Sequence, residues 1–72
     1  MSDNMNVGES LRTALLYAGK SQAQLARELK LSAAQINIHC KCKTAQAGVI
    51  KRYADHFGYS VQEFLALTPG KE

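Results

Sequence analysis

Two helix-start signals stand only eleven residues apart in this chain, Ser21-x-x-Gln24 and Ser32-x-x-Gln35. In each, a serine hydroxyl is placed to cap the backbone N–H three residues on, where an amide side chain can reach back. After the first signal, Leu25, Ala26 and Leu29 recur at helical spacing along one face. After the second come Ile36 and Cys40. No strand and no long loop fits between two starts this close. The connection, near Lys30–Leu31, must be sharp, and the stretch reads as two short helices around a tight turn, a helix-turn-helix.

Projection of the second helix at about 100° per residue separates two faces. Ile36 lies in the middle of one, flanked by His39 and Cys40. Ala34, Asn37, Ile38 and Lys41 gather on the other, with Ala33 at its edge. That outer face is small at its N-terminal end, holds an amide in the middle and ends in a cation. Small side chains let a helix approach a groove closely, an amide pairs bidentately with adenine, and alanine or isoleucine meets a thymine methyl. The plainer alternative is an ordinary solvated face.

Charge weighs against the plainer alternative. The formal net charge is +3, but residues 20–52 carry Lys20, Arg27, Lys30, Lys41, Lys43, Lys51 and Arg52 against Glu28 alone, a local balance of +6. Residues 1–19 sum to −1 and residues 53–72 to −2. Solubility explains a scattered excess of cations. It does not explain their concentration around one motif, where a polyanion would dock.

With these residues in view, 21–42 resembles the helix-turn-helix of the phage Cro/repressor family, the XRE-type regulators, and the likeness extends loosely over about residues 8–67. The shared elements are Gln22 opening the first helix, Leu25-Ala26 in its middle, Leu29, Leu31-Ser32 at the turn and Ile36 in the second helix. Downstream, Tyr53-Ala54-Asp55-His56-Phe57-Gly58, then Ser60 and Phe64-Leu65, is similar to the family's closing helices. The resemblance implies an all-α fold, a compact lambda-repressor-like bundle of about five short helices that binds operator DNA as a dimer. Three departures stand out. Lys30 occupies the turn position where the family usually has glycine, so it must accept or avoid a positive φ. His39 replaces a second aliphatic residue. Cys40-Lys41-Cys42 replaces the family's usual ending of the recognition helix, and the loop after it is about a residue short.

In chain order, residues 1–6 read as a flexible leader. A first helix is expected from about Val7 or Gly8 to Ala18, with Val7, Leu11, Ala14, Leu15 and Ala18 as its stripe, Leu16 widening that face, Tyr17 at its margin and Gly19 as the stop. The second helix spans about Gln22–Lys30 and the third about Ala33 to Lys41 or Cys42. A fourth, from Ala45 or Ala47 to Phe57, repeats Ile50, Tyr53, Ala54 and Phe57, with Lys51 and Arg52 facing solvent or DNA flanks and Gly58 closing it. Ser60-x-x-Glu63 opens a fifth, running through Val61, Phe64, Leu65 and Leu67, which Thr68-Pro69-Gly70 ends. Leu65 and Leu67 either finish the core or serve dimerisation. One domain over 7–68 is expected, with a tail at 69–72.

Other chemistries fit poorly. His39, Cys40, Cys42 and His56 invite a metal site, but on a helix Cys40 and Cys42 point about 200° apart. No second Cys or His pair completes a site, and a C-x-C disulfide is strained. Cys40 reads as a small buried residue, Cys42 as a partly exposed thiol, and His39 as a core-edge histidine or a phosphate contact. Paired carboxylates, a phosphate loop and a nucleophile elbow are absent from the sequence. An enzyme, a cofactor and a small-molecule ligand are therefore not expected. The polar start MSDNMN is no signal peptide and no apolar run spans a bilayer, which points to the cytoplasm or nucleoid.

The expected function is a sequence-specific transcriptional regulator, a small phage- or prophage-type repressor of the Cro kind on double-stranded operator DNA. One helix offers few base contacts, so a homodimer on half-sites roughly 34 Å apart is expected. Ala33, Ala34, Asn37, Ile38 and Lys41 would read bases through the major groove. Gln22, Ser32, Lys43 and Thr44 would hold phosphates, although Gln22 also suits a plain capping region and Lys43 a solvated loop. Alternative readings are the DNA-binding antitoxin of a toxin–antitoxin pair and a helical adaptor that binds protein only.

Overall fold

The computed structural model describes residues 6–67, which form five helices: α1 (Val7–Ala18), α2 (Gln22–Leu29), α3 (Ala33–Lys41), α4 (Ala47–Phe57) and α5 (Val61–Leu65). No strand occurs among the described residues. The leader at 1–5, the tail at 69–72 and the stop at Thr68-Pro69-Gly70 lie outside them. Asn6, assigned to the leader by the sequence, instead caps α1, its Oδ1 accepting from the Glu9 N–H at 3.1 Å.

Serine hydroxyls start three of the helices. Ser21, Ser32 and Ser60 each accept from the N–H three residues on, at 3.1 Å. Around Ser32 and Ser60 the capping box is complete, with the Gln35 and Glu63 side chains accepting in return from the cap N–H. Each cap satisfies one of the donors that a helix start leaves without an intrahelical partner, a contribution of about 1 kcal/mol.

Three helices end alike. Gly19, Lys30 and Gly58 adopt the left-handed conformation, and the next residue's N–H reaches back to the carbonyl five positions earlier: Lys20 to Leu15 at 3.0 Å, Leu31 to Ala26 at 2.8 Å, Tyr59 to Ala54 at 2.8 Å. Lys30 thus accepts the positive φ, at 60°, at the sharp turn between α2 and α3. For a residue with a Cβ this costs roughly 1 kcal/mol, and it persists because the Leu31 side chain is drawn against the core.

The end of α3 follows another plan. Cys42 is extended, and the carbonyls of Cys42 and Lys43 accept the Gly8 and Val7 N–H groups at 2.8 and 2.9 Å. The electropositive start of α1 thereby meets the electronegative end of α3, and two donors of α1 that no helix bond can use are satisfied. A Cβ on Gly8 would stand 2.8 Å from the Cys42 carbonyl oxygen and closer still to that of Cys40, so this approach requires glycine.

The core joins the stripes of all five helices: Leu11, Leu25, Ile36, Tyr53, Ala54 and Phe64 are fully buried, and Val7, Ala14, Leu15, Ala26, Leu29 and Cys40 surround them. The Tyr53 and Phe64 rings stack at 6.4 Å between centroids. Leu65 and Leu67 are half-buried against this core, with Leu67 beyond the end of α5. The Ser10 hydroxyl donates to both their carbonyls, at 3.4 and 3.0 Å, and so ties α5 to α1. The expectation for the far end of α1 is corrected: Ala18 is exposed, and Leu16 (74% exposed) and Tyr17 (66%) do not widen the apolar face. Its buried surface broadens through Gly8, Ser10 and Thr13, small or polar residues that an apolar periodicity does not register.

Candidate nucleic-acid interface

The site is assembled on α3, which packs between α1 and α2. Ile36 and Cys40 are buried and hold its inner face to the core. His39 is half-buried, and its Nδ1 meets the Tyr53 hydroxyl, with the two rings edge-on at 5.5 Å. The helix therefore cannot rotate about its axis without breaking both an apolar and a polar contact. Burial pushes the Cys40 thiol up and, with the neighbouring Cys40 and against Arg52, the Tyr53 phenol up to about 12. Both stay protonated at neutral pH.

With the inner face so fixed, Ala33, Ala34, Asn37, Ile38 and Lys41 are all exposed along the outer one. Ile38 is 57% exposed. Gln22, the first residue of α2, is half-buried beside this face, and its Oε1 accepts from Asn37 Nδ2 at 3.3 Å. Ser32 is exposed at the start of α3, its oxygen engaged as the cap acceptor. Its O–H remains a donor. Lys43 and Thr44 are exposed in the loop just after α3, and the Lys43 position is fixed by its carbonyl's bond to Val7.

Electrostatics sharpen the picture. Glu28, the single carboxylate between residues 20 and 52, is engaged by three partners outside α3. It accepts from Lys20 Nζ at 2.7 Å, meets His56 Nε2 at 2.7 Å and accepts from Gln24 at 3.3 Å. The hydrogen bonds from Lys20 and His56 pull its carboxyl down to about 2. Among the described residues, no ion pair engages Arg27, Lys30, Lys41 or Lys43. Arg52 is exposed, in keeping with the expected solvent-facing position, and its guanidinium also donates to the Leu29 carbonyl at 2.7 Å, closing the end of α2. Lys51 is exposed and pairs with Asp55 at 3.0 Å.

The residues weighed as metal ligands are dispersed. Cys40 is buried, Cys42 half-buried beyond the end of α3, His39 turned to Tyr53 and His56 to Glu28. No group of three His, Cys, Asp or Glu side chains converges among the described residues. No described helix is long and apolar enough to cross a membrane.

Five short helices, a sharp α2–α3 turn and an outward α3 flanked by cations define a helix-turn-helix DNA-binding domain. The sequence profile of the Cro/C1-type HTH DNA-binding domain matches residues 11–70, and the chain belongs to that family. No curated protein and no solved structure matches the chain.

Three relationships that matter here are not legible in the sequence: the close approach at Gly8, the Arg52–Leu29 bond and the Gln22–Asn37 pair. Gly8 reads as an ordinary first-turn glycine, Arg52 as a surface cation, and the Gln22–Asn37 pair joins residues fifteen apart. Their partners are set by tertiary packing, and no local pattern announces them.

Proposed function

We propose that this protein is a sequence-specific transcriptional regulator, a small phage- or prophage-type repressor of the Cro kind, that acts in the cytoplasm on operator DNA. The observation that carries the reading is the outer face of α3, where Ala33, Ala34, Asn37, Ile38 and Lys41 are exposed together. Small residues allow the helix into the major groove, Asn37 and Lys41 supply polar base contacts, and Ile38 offers a methyl-sized apolar contact. Gln22, Ser32, Lys43 and Thr44 hold the flanking phosphates through amide, hydroxyl and ammonium donors.

Binding is by a homodimer. One recognition helix reads too few base pairs for a unique operator, and two copies meet half-sites roughly 34 Å apart on one side of the duplex. Repression then follows from occupancy, by excluding polymerase from an overlapping promoter, with no catalytic step.

Selection of bound duplexes from a random pool tests this. The expected result is one enriched motif with two-fold symmetry, bound with an affinity that falls steeply with salt. Failure to enrich any motif at moderate salt, together with capture of a protein partner through the same face, would establish an adaptor instead.

A further inference from the structure

Towards its end, α1 turns two large apolar side chains to solvent, Leu16 and Tyr17, and neither belongs to the outer face of α3. Glu9, Arg12, Thr13 and Leu16 follow one another at spacings of three and four and so share that side of α1. Together they line a hollow of about 280 Å³. Thr13 is its floor, only 3% exposed, and its Oγ1 has no hydrogen-bond partner among the described residues. A buried hydroxyl in that state costs free energy until a donor reaches it. Glu9 and Arg12 stand at the rim with capacity to spare. Arg12 Nε donates to the Gly8 carbonyl at 3.2 Å, which leaves the N–H groups of both terminal nitrogens. No ion pair engages either side chain among the described residues.

A helix face that carries an acid and a base one turn apart is complementary to itself. With two such helices antiparallel about a two-fold axis between Glu9 and Arg12, each acid meets the base of the other copy. The same operation brings Thr13 level with Gly8 of the second copy. The head of Arg12 is held at Gly8 by the Nε bond, so its free N–H groups there face the hydroxyl oxygen that lacks a donor. Leu16, leaning back toward the preceding turn, meets the first turn of the second helix. A partner of one charge sign would attract one rim residue and repel the other. We propose that this face of α1, built from Glu9, Arg12, Thr13 and Leu16, is where a second copy of the chain docks. The proposal rests on the homodimer reading above and gives that dimer its surface.

Sedimentation equilibrium of the full chain, from micromolar to millimolar protein, tests this. Wild type is expected to dimerise. Glu9→Arg gives the face two cations and Arg12→Glu gives it two carboxylates, so each variant alone is expected to self-associate more than about tenfold more weakly. Mixed in equal amounts, the two are complementary and form a heterodimer, which a misfolded variant could not do. The exchanged pair in one chain, Glu9→Arg/Arg12→Glu, dimerises again. Single variants that self-associate as strongly as wild type overturn the proposal, as does a mixture that stays monomeric. Loss of the dimer in Val61→Lys, on the exposed side of α5, with both α1 variants still dimeric, also overturns it and moves the homodimer to another surface. A wild type that stays monomeric at millimolar concentration overturns the α1 surface. If the duplex selected from a random pool then takes up one copy only, the homodimer reading falls with it, whereas two copies on that duplex leave the homodimer reading standing.

Discussion

The Gly8 N–H donates to the Cys42 carbonyl at 2.8 Å, and this bond seats the first turn of α1 on the last turn of α3. Gly8→Ala places a methyl group against backbone carbonyls of residues 40 and 42, atoms that cannot swing aside. We expect a loss of about 3 kcal/mol in urea unfolding, at the upper end for overpacking. Gly48, where a Cβ meets nothing within 4 Å, provides the contrast: Gly48→Ala in α4 is expected to gain about 0.5 kcal/mol.

Lys30 holds a left-handed backbone that glycine adopts freely, with φ at 60°. Lys30→Gly is expected to stabilise the domain by about 0.5–1 kcal/mol, the relief of strain exceeding the added freedom of the unfolded chain. A lower urea midpoint than wild type would contradict this.

The division of labour along α3 is open to direct measurement. Asn37→Ala is expected to relax base preference at one position by roughly 1–3 kcal/mol. Lys43→Ala is expected to weaken all duplexes alike and to reduce the slope of log K against log salt by about 1. Identical behaviour of the two variants would argue against base reading by Asn37.

Acid stability follows from Glu28. Its carboxyl is lowered from 4.5 to about 2 by the Lys20 and His56 hydrogen bonds. The stabilisation is therefore present above pH 4.5 and is lost as pH falls from there toward 2. Glu28→Gln should flatten this limb of the urea midpoint against pH.

Tyr53 acts at the other extreme. Its phenol is raised from 10 to about 12, so the folded state favours the protonated form, and stability falls as pH rises through that interval. Tyr53→Phe removes this alkaline loss. It also leaves His39 without its hydroxyl partner, so the variant is less stable at neutral pH by about 1 kcal/mol. Ultraviolet titration of the phenol and thermal melts at pH 9 and 11 check both points.

Sequence periodicity located all five helices because each carries its own signal. Serine caps open α2, α3 and α5, and Leu25, Ile36, Tyr53 and Phe64 fall on the buried faces that their spacing assigns. The outer face of α3 was legible for the same reason, since a helix with Ile36 and Cys40 inward must turn Asn37 and Lys41 outward. What stayed hidden depends on contacts between helices. Arg52 is a surface cation by composition but binds the Leu29 carbonyl across 23 residues. Leu16 looks like core by hydropathy, yet no neighbouring element covers that side of α1. The Asn6 cap has Glu9 at the same three-residue spacing, but its opening residue is an asparagine where serine marks the starts of α2, α3 and α5.

Because the Val7 amide is bonded to the Lys43 carbonyl, the polypeptide enters the domain next to the loop that follows the reading helix. On the proposed reading, a group attached at Asn6 itself stands beside the nucleic-acid surface. A small fluorophore there would report docking as a change in its emission, whereas a bulky fusion partner would crowd the duplex.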